Sequence, residues 1–384
     1  MDFELSSDQK LLVDMVRGFA QRESPVSRVR AMRDDPVGFS PDVWRKMGEL
    51  GWLALPFPER FGGLGQSMAD VALVLEQLGT SLVPEPYLAS VVLAGTLLAD
   101  AGNDAMAEAW LPRLAAGEVV LACAHTERRA RFDAAHVETR AEKNGDAYVL
   151  RGEKTFVLAG AGADAFIVSA RTSGGERDRQ GVSLFLVEKG TPGVRVVPIK
   201  TTDAQKAAIV HFDGARVPAS TRLGEEGHGY APLSRALDRA AAGACAEAVG
   251  VMSESLKATV AYLGTRVQFG VKIGTFQVLQ HRAVDMFIET ELARGMALLA
   301  AMKAESADEG ERARAISAAK AHVAASGRAV VAHAIQLHGG IGISDEHDIG
   351  LYFKRMHALA TLFGDEDHHV ERFTRLASFE AAST

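Results

Sequence analysis

Hydrophobic residues recur at helical spacing in the first third of the chain. Ser6 to Gln9 have the pattern of a capping box, and the residues after them place one apolar stripe on a helix face: Leu11, Leu12, Met15, Val16 and Phe19. A second helix is expected from Pro41, and helical patterns continue to about Ala116. The pattern predicts an α-helical N-terminal domain over residues 1–116.

The hydrophobic period changes after Gly117, where short strand-like runs begin. Asn144-Gly145 between two alternating runs is typical of a hairpin with a type I′ turn. Further short strands are expected between Gly, Pro and Asp residues: Ala165–Ala170, Val182–Val187, Val194–Ile199 and Ala207–Phe212. Residues 117–225 are therefore predicted to form a central antiparallel β domain, either a sandwich or a barrel.

Helical periodicity returns at about Tyr230, with breaks near Gly270, Gly310 and Gly339. Long Ala- and Leu-rich helices with short connections are typical of an antiparallel four-helix bundle, here over residues 226–384. The expected fold class is therefore α+β, with an N-terminal helical domain, a central β domain and a C-terminal bundle.

Composition excludes some function classes. The 384 residues include 42 basic and 49 acidic side chains, a formal charge of −7 without long charged blocks, which argues against a nucleic-acid partner. Cys123 and Cys245 lie in apolar surroundings and are expected to be reduced core residues. We see no signal-peptide pattern and no apolar run that could span a bilayer, so we expect a cytoplasmic protein.

A Gly-broken corner between two helical patterns, residues 266–280, concentrates polar chemistry. Arg266 could bind pyrophosphate oxygens, and Thr275 is expected to cap a helix whose free N–H groups would help to hold an anion. Taken alone, the corner fits equally well a helix hairpin whose Arg pairs with a carboxylate. A second segment, Gln336 to Gly342, has three glycines in four positions at a helix C-terminus, where a backbone can approach a ligand closely.

Residues 266–280 resemble the R-x-Q-F-G-x-x-I-x-x-F-Q-x-x-Q signature of the acyl-CoA dehydrogenase family, and similar motifs occur along the whole chain. The resemblance implies the acyl-CoA dehydrogenase fold, FAD as cofactor, an acyl-CoA substrate and an electron-transferring flavoprotein as electron acceptor. In the family, both segments reach the FAD of a neighbouring subunit. The implied cofactor-binding residues are Arg266, Gln268, Phe269, Phe276, Gln277, Gln280, Gln336, His338, Gly339, Gly340, Phe156 and Thr126.

The chain departs from the family at the catalytic carboxylate. The family's E-G-T segment matches Phe363-Gly364-Asp365, and the other family position for the base falls near Ala240. Glu247 and Asp365 are substitute candidates, although an ion-paired helix carboxylate and a helix start explain them as readily. The acidic and histidine residues that follow Asp365 would point in different directions on a helix, so we expect no metal site there.

The flavin-side segments also differ from the family pattern. Phe156 stands at the start of the usual W-[IS]-[TS]-N segment, whose hydroxyl is absent here, and Thr126 belongs to only the start of the usual T-E-P loop. The arginines that follow, Arg128, Arg129 and Arg131, could meet an acidic substrate or a CoA phosphate, but we expect them to form a solvated basic loop.

The segments that serve a neighbour's FAD are thus intact, whereas those that serve the chain's own flavin and substrate are degraded. In agreement with this pattern, residues 258–270, 279–283 and 363–365 resemble the small subunit of pimeloyl-CoA dehydrogenase and other base-lacking subunits of αβ heteromeric acyl-CoA dehydrogenases. This resemblance implies a larger partner subunit that supplies the base, and a role in acyl-CoA β-oxidation. The alternatives are a self-sufficient homotetramer with Glu247 or Asp365 as base, a non-catalytic assembly subunit, and a flavin oxidase or monooxygenase on the same fold.

Overall fold

The computed structural model describes residues 5–376. Its α-helices are α1 (Ser7–Glu23), α2 (Ser27–Asp34), α3 (Pro41–Glu49), α4 (Met68–Thr80), α5 (Thr96–Asp100), α6 (Asp104–Ala115), α7 (Tyr230–Thr265), α8 (Gln277–Lys303), α9 (Glu309–His338), α10 (Ile349–Thr361) and α11 (Glu366–Leu376). A π-helix, Tyr87–Gly95, precedes α5. The strands are β1 (Leu121–Ala124), β2 (Arg140–Asn144), β3 (Ala147–Leu158), β4 (Ala165–Arg171), β5 (Val182–Glu188), β6 (Val194–Lys200), β7 (Lys206–Pro218), β8 (Arg222–Leu223), β9 (Val267–Gln268) and β10 (Val271–Lys272).

Packing divides the chain into two compact units that do not follow chain order. The helical unit contains residues up to Val29, Met68–Val83 and the residues from Ala241 onward, and the sheet unit contains Arg30–Ser67 and Pro84–Ala240. The three sequential domains expected from the hydrophobic pattern, with limits at residues 116 and 225, stay a prediction.

In the helical unit, α9 is the central element, because α8, α10 and α11 all pack against it. The capping box at Ser6 is present, since its hydroxyl accepts from Gln9 N and the Gln9 side chain accepts from Ser6 N. The expected N-cap at Thr275 is wrong. The Thr275 hydroxyl donates instead to Lys272 O at 2.7 Å, and α8 begins two residues later behind Phe276.

In the sheet unit, the strand order is β6-β7-β3-β2-β4-β5-β8, with β1 beside β4. The expected purely antiparallel arrangement needs correction, because β1 and β2 both pair with β4 in parallel. The β2–β3 hairpin is present, but its two turn residues are Gly145 and Asp146, and only Gly145 has a positive φ, of 64°. A positive φ at the first turn residue alone is typical of type II′ rather than type I′.

No helix among residues 5–376 combines the length and apolar character that crossing a membrane requires.

Candidate cofactor and substrate site

The corner between α7 and α8 is a small hairpin. Val267 pairs with Lys272 and Gln268 with Val271, so Phe269 and Gly270 form its two-residue tip. Both tip residues have positive φ, 56° and 80°, which is the geometry of a type I′ turn. The left-handed conformation costs a Phe of the order of 1 kcal/mol, so the hairpin hydrogen bonds hold this residue in place. Because it stands at the tip of this hairpin, Phe269 is 91% exposed.

The corner's polar side chains are mostly free to meet a ligand. Arg266 and Gln277 are exposed, and Gln268 is exposed on the hairpin strand. The Phe276 ring contacts Phe269 edge-on, with the ring centroids 6.2 Å apart. Gln280 is only partly available, because its Nε2 donates to Gly274 O at 2.8 Å.

The glycine segment lies beside the same end of α7. The rings of Tyr262, one turn before the corner, and His338, the last residue of α9, stack with centroids 4.5 Å apart. This contact brings together two motifs that are about 70 residues apart in the sequence. Gly339 follows with φ of 63°, and a Cβ added at Gly339 or Gly340 would have no neighbour within 4 Å. The backbone of both glycines therefore faces open space.

These segments fit FAD, the cofactor that the resemblance implies. His338 is 2% exposed, and its Nδ1 contacts Ala334 O, whereas its buried Nε2 has no hydrogen-bond partner among the described residues. Burial lowers the pKa of His338, so the ring is neutral near pH 7. Because His338 is buried and Gln336 is exposed, we expect the His to support the glycine segment and Gln336 to make the outward contact.

In the sheet unit, a β-bulge presents Phe156. The pairing of β3 with β7 shifts register between Lys154 and Val157, and Phe156 inside this bulge has φ of 50°. The bulge interrupts the alternation of buried and exposed side chains along β3 and leaves Phe156 43% exposed. Thr126 lies next to it, since Thr155 N donates to Thr126 O at 2.9 Å. The two flavin-side residues predicted from the sequence are thus neighbours.

A buried ion pair beneath them was not predicted. Lys154 is completely buried, and its Nζ donates to Glu127 Oε1 at 2.7 Å and to Ser169 Oγ at 3.0 Å. Burial lowers the pKa of Lys154, and the Glu127 carboxylate opposes this shift. The same carboxylate accepts hydrogen bonds from the backbone N–H groups of Glu138 and Thr139. The Lys154–Glu127 pair joins the segment that contains Thr126 to the strand that presents Phe156. In the sequence, the only signal of this pair is a Lys within a predicted strand.

Neither usual position for the base carries a carboxylate, and Glu247 is already paired. Ala240 is completely buried. Glu247 Oε1 accepts from Arg355 Nε at 2.7 Å, and the two side chains are only 8% and 10% exposed. The backbone of Glu247 also lies against Gly79, where any Cβ would overlap its carbonyl oxygen. These contacts make Glu247 part of the packing between α4, α7 and α10.

The loop that matches the E-G-T segment is held tightly although it lacks the Glu. Phe363 has φ of 60°, and its carbonyl oxygen lies 3.1 Å from His369 Nε2. The buried Lys320 donates to Ala360 O and Gly364 O, each at 3.0 Å. Asp365 Oδ1 accepts from His368 N at 2.9 Å, which makes it the cap of α11. Asp365 therefore has a structural contact that accounts for its presence.

Helix α8 carries a second apolar face. One face is buried in the unit, whereas the opposite face exposes a stripe of large apolar side chains by 41–54%: Val284, Phe287, Ile288, Leu292, Leu299 and Met302. The stripe extends over about 27 Å at 1.5 Å per residue. We call these six residues the α8 stripe. Contiguous exposed apolar surface of this kind marks protein–protein contact sites.

Family models match almost the entire chain. The N-terminal, middle and C-terminal domains of acyl-CoA dehydrogenase match residues 6–118, 122–214 and 227–376 respectively. The expected fold is confirmed, with helical, β and helical domains in that order.

Individual relatives agree with these matches. A probable acyl-CoA dehydrogenase, YngJ of Bacillus subtilis, is 33% identical over 357 residues, which cover 91% of this chain and 92% of the relative. The ChsE4–ChsE5 complex of Mycobacterium tuberculosis contains a chain that is 28% identical with a TM-score of 0.88, and all of both chains is covered. The FAD complex of PigA is 27% identical with a TM-score of 0.90, covering 98% of each chain.

Proposed function

Because this chain belongs to the acyl-CoA dehydrogenase family, we propose that it is the base-lacking subunit of a two-component acyl-CoA dehydrogenase whose partner supplies the catalytic carboxylate. The chain is an FAD-dependent oxidoreductase that acts on acyl-CoA. The proposal adds a subunit role, similar to that of the small subunit of pimeloyl-CoA dehydrogenase, with an electron-transferring flavoprotein as electron acceptor.

Dehydrogenation removes a proton from the α-carbon of the thioester and a hydride from its β-carbon. Bound FAD would supply the acceptor for the hydride, and a carboxylate must take the proton. Since the α-proton is only weakly acidic, this carboxylate has to be unpaired and within hydrogen-bond reach of the substrate. Arg266 and the open backbone of Gly339 and Gly340 would hold the phosphate groups of the cofactor.

The observation that carries the proposal is the state of the two candidate bases. Glu247 is buried and bound to Arg355, and Asp365 caps α11. A carboxylate whose oxygens are directed at a buried Arg or at a helix N-terminus is not positioned to reach the α-proton of a substrate. A homotetramer that relies on either residue is therefore the weaker alternative.

Two surface features support assembly with a partner. Phe269 is 91% exposed at the tip of a segment that fits a cofactor, and the α8 stripe exposes apolar area on the same unit. Both features are costly in water unless another subunit covers them. The structurally similar ChsE4–ChsE5 complex, whose name gives two components, supports the same arrangement by analogy.

The test is the flavin content of the purified chain, alone and co-expressed with the acyl-CoA dehydrogenase encoded beside it. We expect little flavin in the lone chain, about one FAD per heterodimer in the complex, and bleaching of the flavin by acyl-CoA only in the complex. Glu247→Gln in this chain should leave the turnover of the folded complex unchanged.

Either of two outcomes would overturn the proposal. A lone homotetramer with one substrate-bleachable FAD per chain would make the chain self-sufficient, and loss of its turnover in Glu247→Gln or Asp365→Asn would identify the base. Absence of FAD even in the complex would instead make the chain a non-catalytic assembly subunit.

A further inference from the structure

We propose that His136, Glu138 and Glu176 form a binding site for a divalent transition metal ion, best matched by Zn²⁺. A ring nitrogen of His136 and one carboxylate oxygen of each glutamate lie within 4.8 Å of one another. All three belong to the sheet unit, and the flavin chemistry uses none of them. The proposal is independent of the subunit role argued above.

The backbone already brings the ligands together. Val137 N, between two of the ligands, donates to the carbonyl oxygen of Glu176 at 2.8 Å. Arg171, which is 1% exposed, donates through Nη2 to Ala135 O at 2.7 Å and to Glu176 O at 2.9 Å. The segment before β2 and the loop between β4 and β5 are therefore fixed to each other without a metal, so binding would need only side-chain rotation.

The burial of His136 is the second observation, because it holds the imidazole in one orientation, with Nε2 turned towards Glu138. The imidazole is 4% exposed, and its Nδ1, which has no hydrogen-bond partner within the part of the chain that the structure describes, is the ring nitrogen that does not face Glu138. Its Nε2 lies 3.2 Å from Glu138 Oε1. Two ligand atoms of a tetrahedral ion with bonds of about 2.0 Å lie about 3.3 Å apart, so this pair has the spacing of two zinc ligands. Glu176 is exposed and free to close the third position.

The ligand types select the ion. One imidazole nitrogen with two carboxylate oxygens suits Zn²⁺ and similar transition metals, whereas Mg²⁺ and Ca²⁺ prefer oxygen ligands alone. Arg129 competes for Glu138, but the two groups lie 3.7 Å apart and the Arg side chain is 77% exposed. An exposed ion pair of this kind is weak, so a bound cation would displace it.

The experiment is a titration of the chelator-treated full-length chain with Zn²⁺ by isothermal calorimetry, repeated with Mg²⁺. We expect one Zn²⁺ per chain with a Kd below about 10 μM, no comparable Mg²⁺ binding, and the visible absorption of tetrahedral Co²⁺ when cobalt replaces zinc. Glu138→Gln and Glu176→Gln should each weaken Zn²⁺ binding at least tenfold. Glu142→Gln, which alters an exposed carboxylate on β2, is the matched control and should bind as the unchanged chain does.

Zn²⁺ should also raise the melting temperature of the unchanged chain, because an ion that binds only the native state stabilises it. Circular dichroism checks that the Gln variants are folded. The absence of a Zn²⁺ site, or equal affinity in Glu138→Gln, Glu176→Gln and Glu142→Gln, would overturn the proposal and leave only non-specific binding by surface carboxylates and histidines.

Discussion

At the scale of single residues, the Glu247–Arg355 pair decides between a catalytic and a structural carboxylate. We predict that Glu247→Gln lowers the free energy of unfolding by about 2 kcal/mol, because the buried Arg355 keeps a neutral acceptor at this position but loses the negative charge of Glu247. Urea unfolding measures this change.

The matched control is Glu254→Gln on the same helix. Glu254 pairs with Lys257, whose side chain is 71% exposed, so we expect a change below about 0.5 kcal/mol. If Glu247→Gln were as harmless as this control, the Glu247–Arg355 pair would contribute little to the stability of the fold.

At the scale of elements, Lys320 fastens the end of α10 to the loop before α11. Burial lowers the pKa of Lys320 from 10.5 to about 8. Between about pH 8 and 10.5 the unfolded chain therefore binds more protons than the folded chain, and stability rises with pH there by up to about 1.4 kcal/mol per pH unit. This contribution is complete above pH 10.5 and is lost as the pH falls towards 8.

We predict that unfolding measured at pH 8 and pH 9.5 shows this gain in the unchanged chain but not in Lys320→Met. Comparing each protein with itself at the two pH values removes the cost of the two hydrogen bonds that the substitution deletes. An equal pH dependence in both proteins would mean that Lys320 titrates normally.

At the scale of the whole molecule, the α8 stripe is predicted to mediate assembly. Leu292→Asp places a charge in the middle of the stripe, where Leu292 is 53% exposed, and should reduce the assembled mass in sedimentation velocity at unchanged stability. Val370→Asp introduces the same charge at an apolar side chain on α11 that is 48% exposed and outside the stripe. Assembly that survives Leu292→Asp as well as Val370→Asp would place the interface elsewhere.

Whether the sequence could predict a feature depends on how far apart in the sequence the interacting residues are. Local signals predicted the capping box at Ser6 and the helix from Pro41, because both depend on neighbouring residues. The parallel pairing of β1 with β4 joins segments about 40 residues apart and left no local trace. The hairpin tip at Phe269 was hidden for another reason, since a Phe in left-handed conformation is disfavoured and is held there only by pairing that the fold supplies.

The candidate site could likewise be predicted from the sequence only in part. Sequence motifs located Arg266 and the glycine segment. Only the structure shows that the stacking of Tyr262 on His338 brings these two segments together. It likewise shows that Glu247, which pattern reasoning proposed as a base, is held by Arg355 from a helix more than 100 positions away. Contacts between residues that are distant in the sequence determine which carboxylates are free. These contacts cannot be predicted from the sequence alone.

The exposed tip of the α7–α8 corner also affects how long an unassembled copy of the chain survives proteolysis. Exposed loop tips are preferred sites of proteolytic cleavage, and chymotrypsin-like enzymes cut after aromatic residues. Phe269 offers such a site as long as no other subunit covers it. In the two-subunit assembly proposed above, copies made in excess of the partner would therefore be degraded faster than assembled ones, and the geometry of one turn would help to keep the amounts of the two subunits equal.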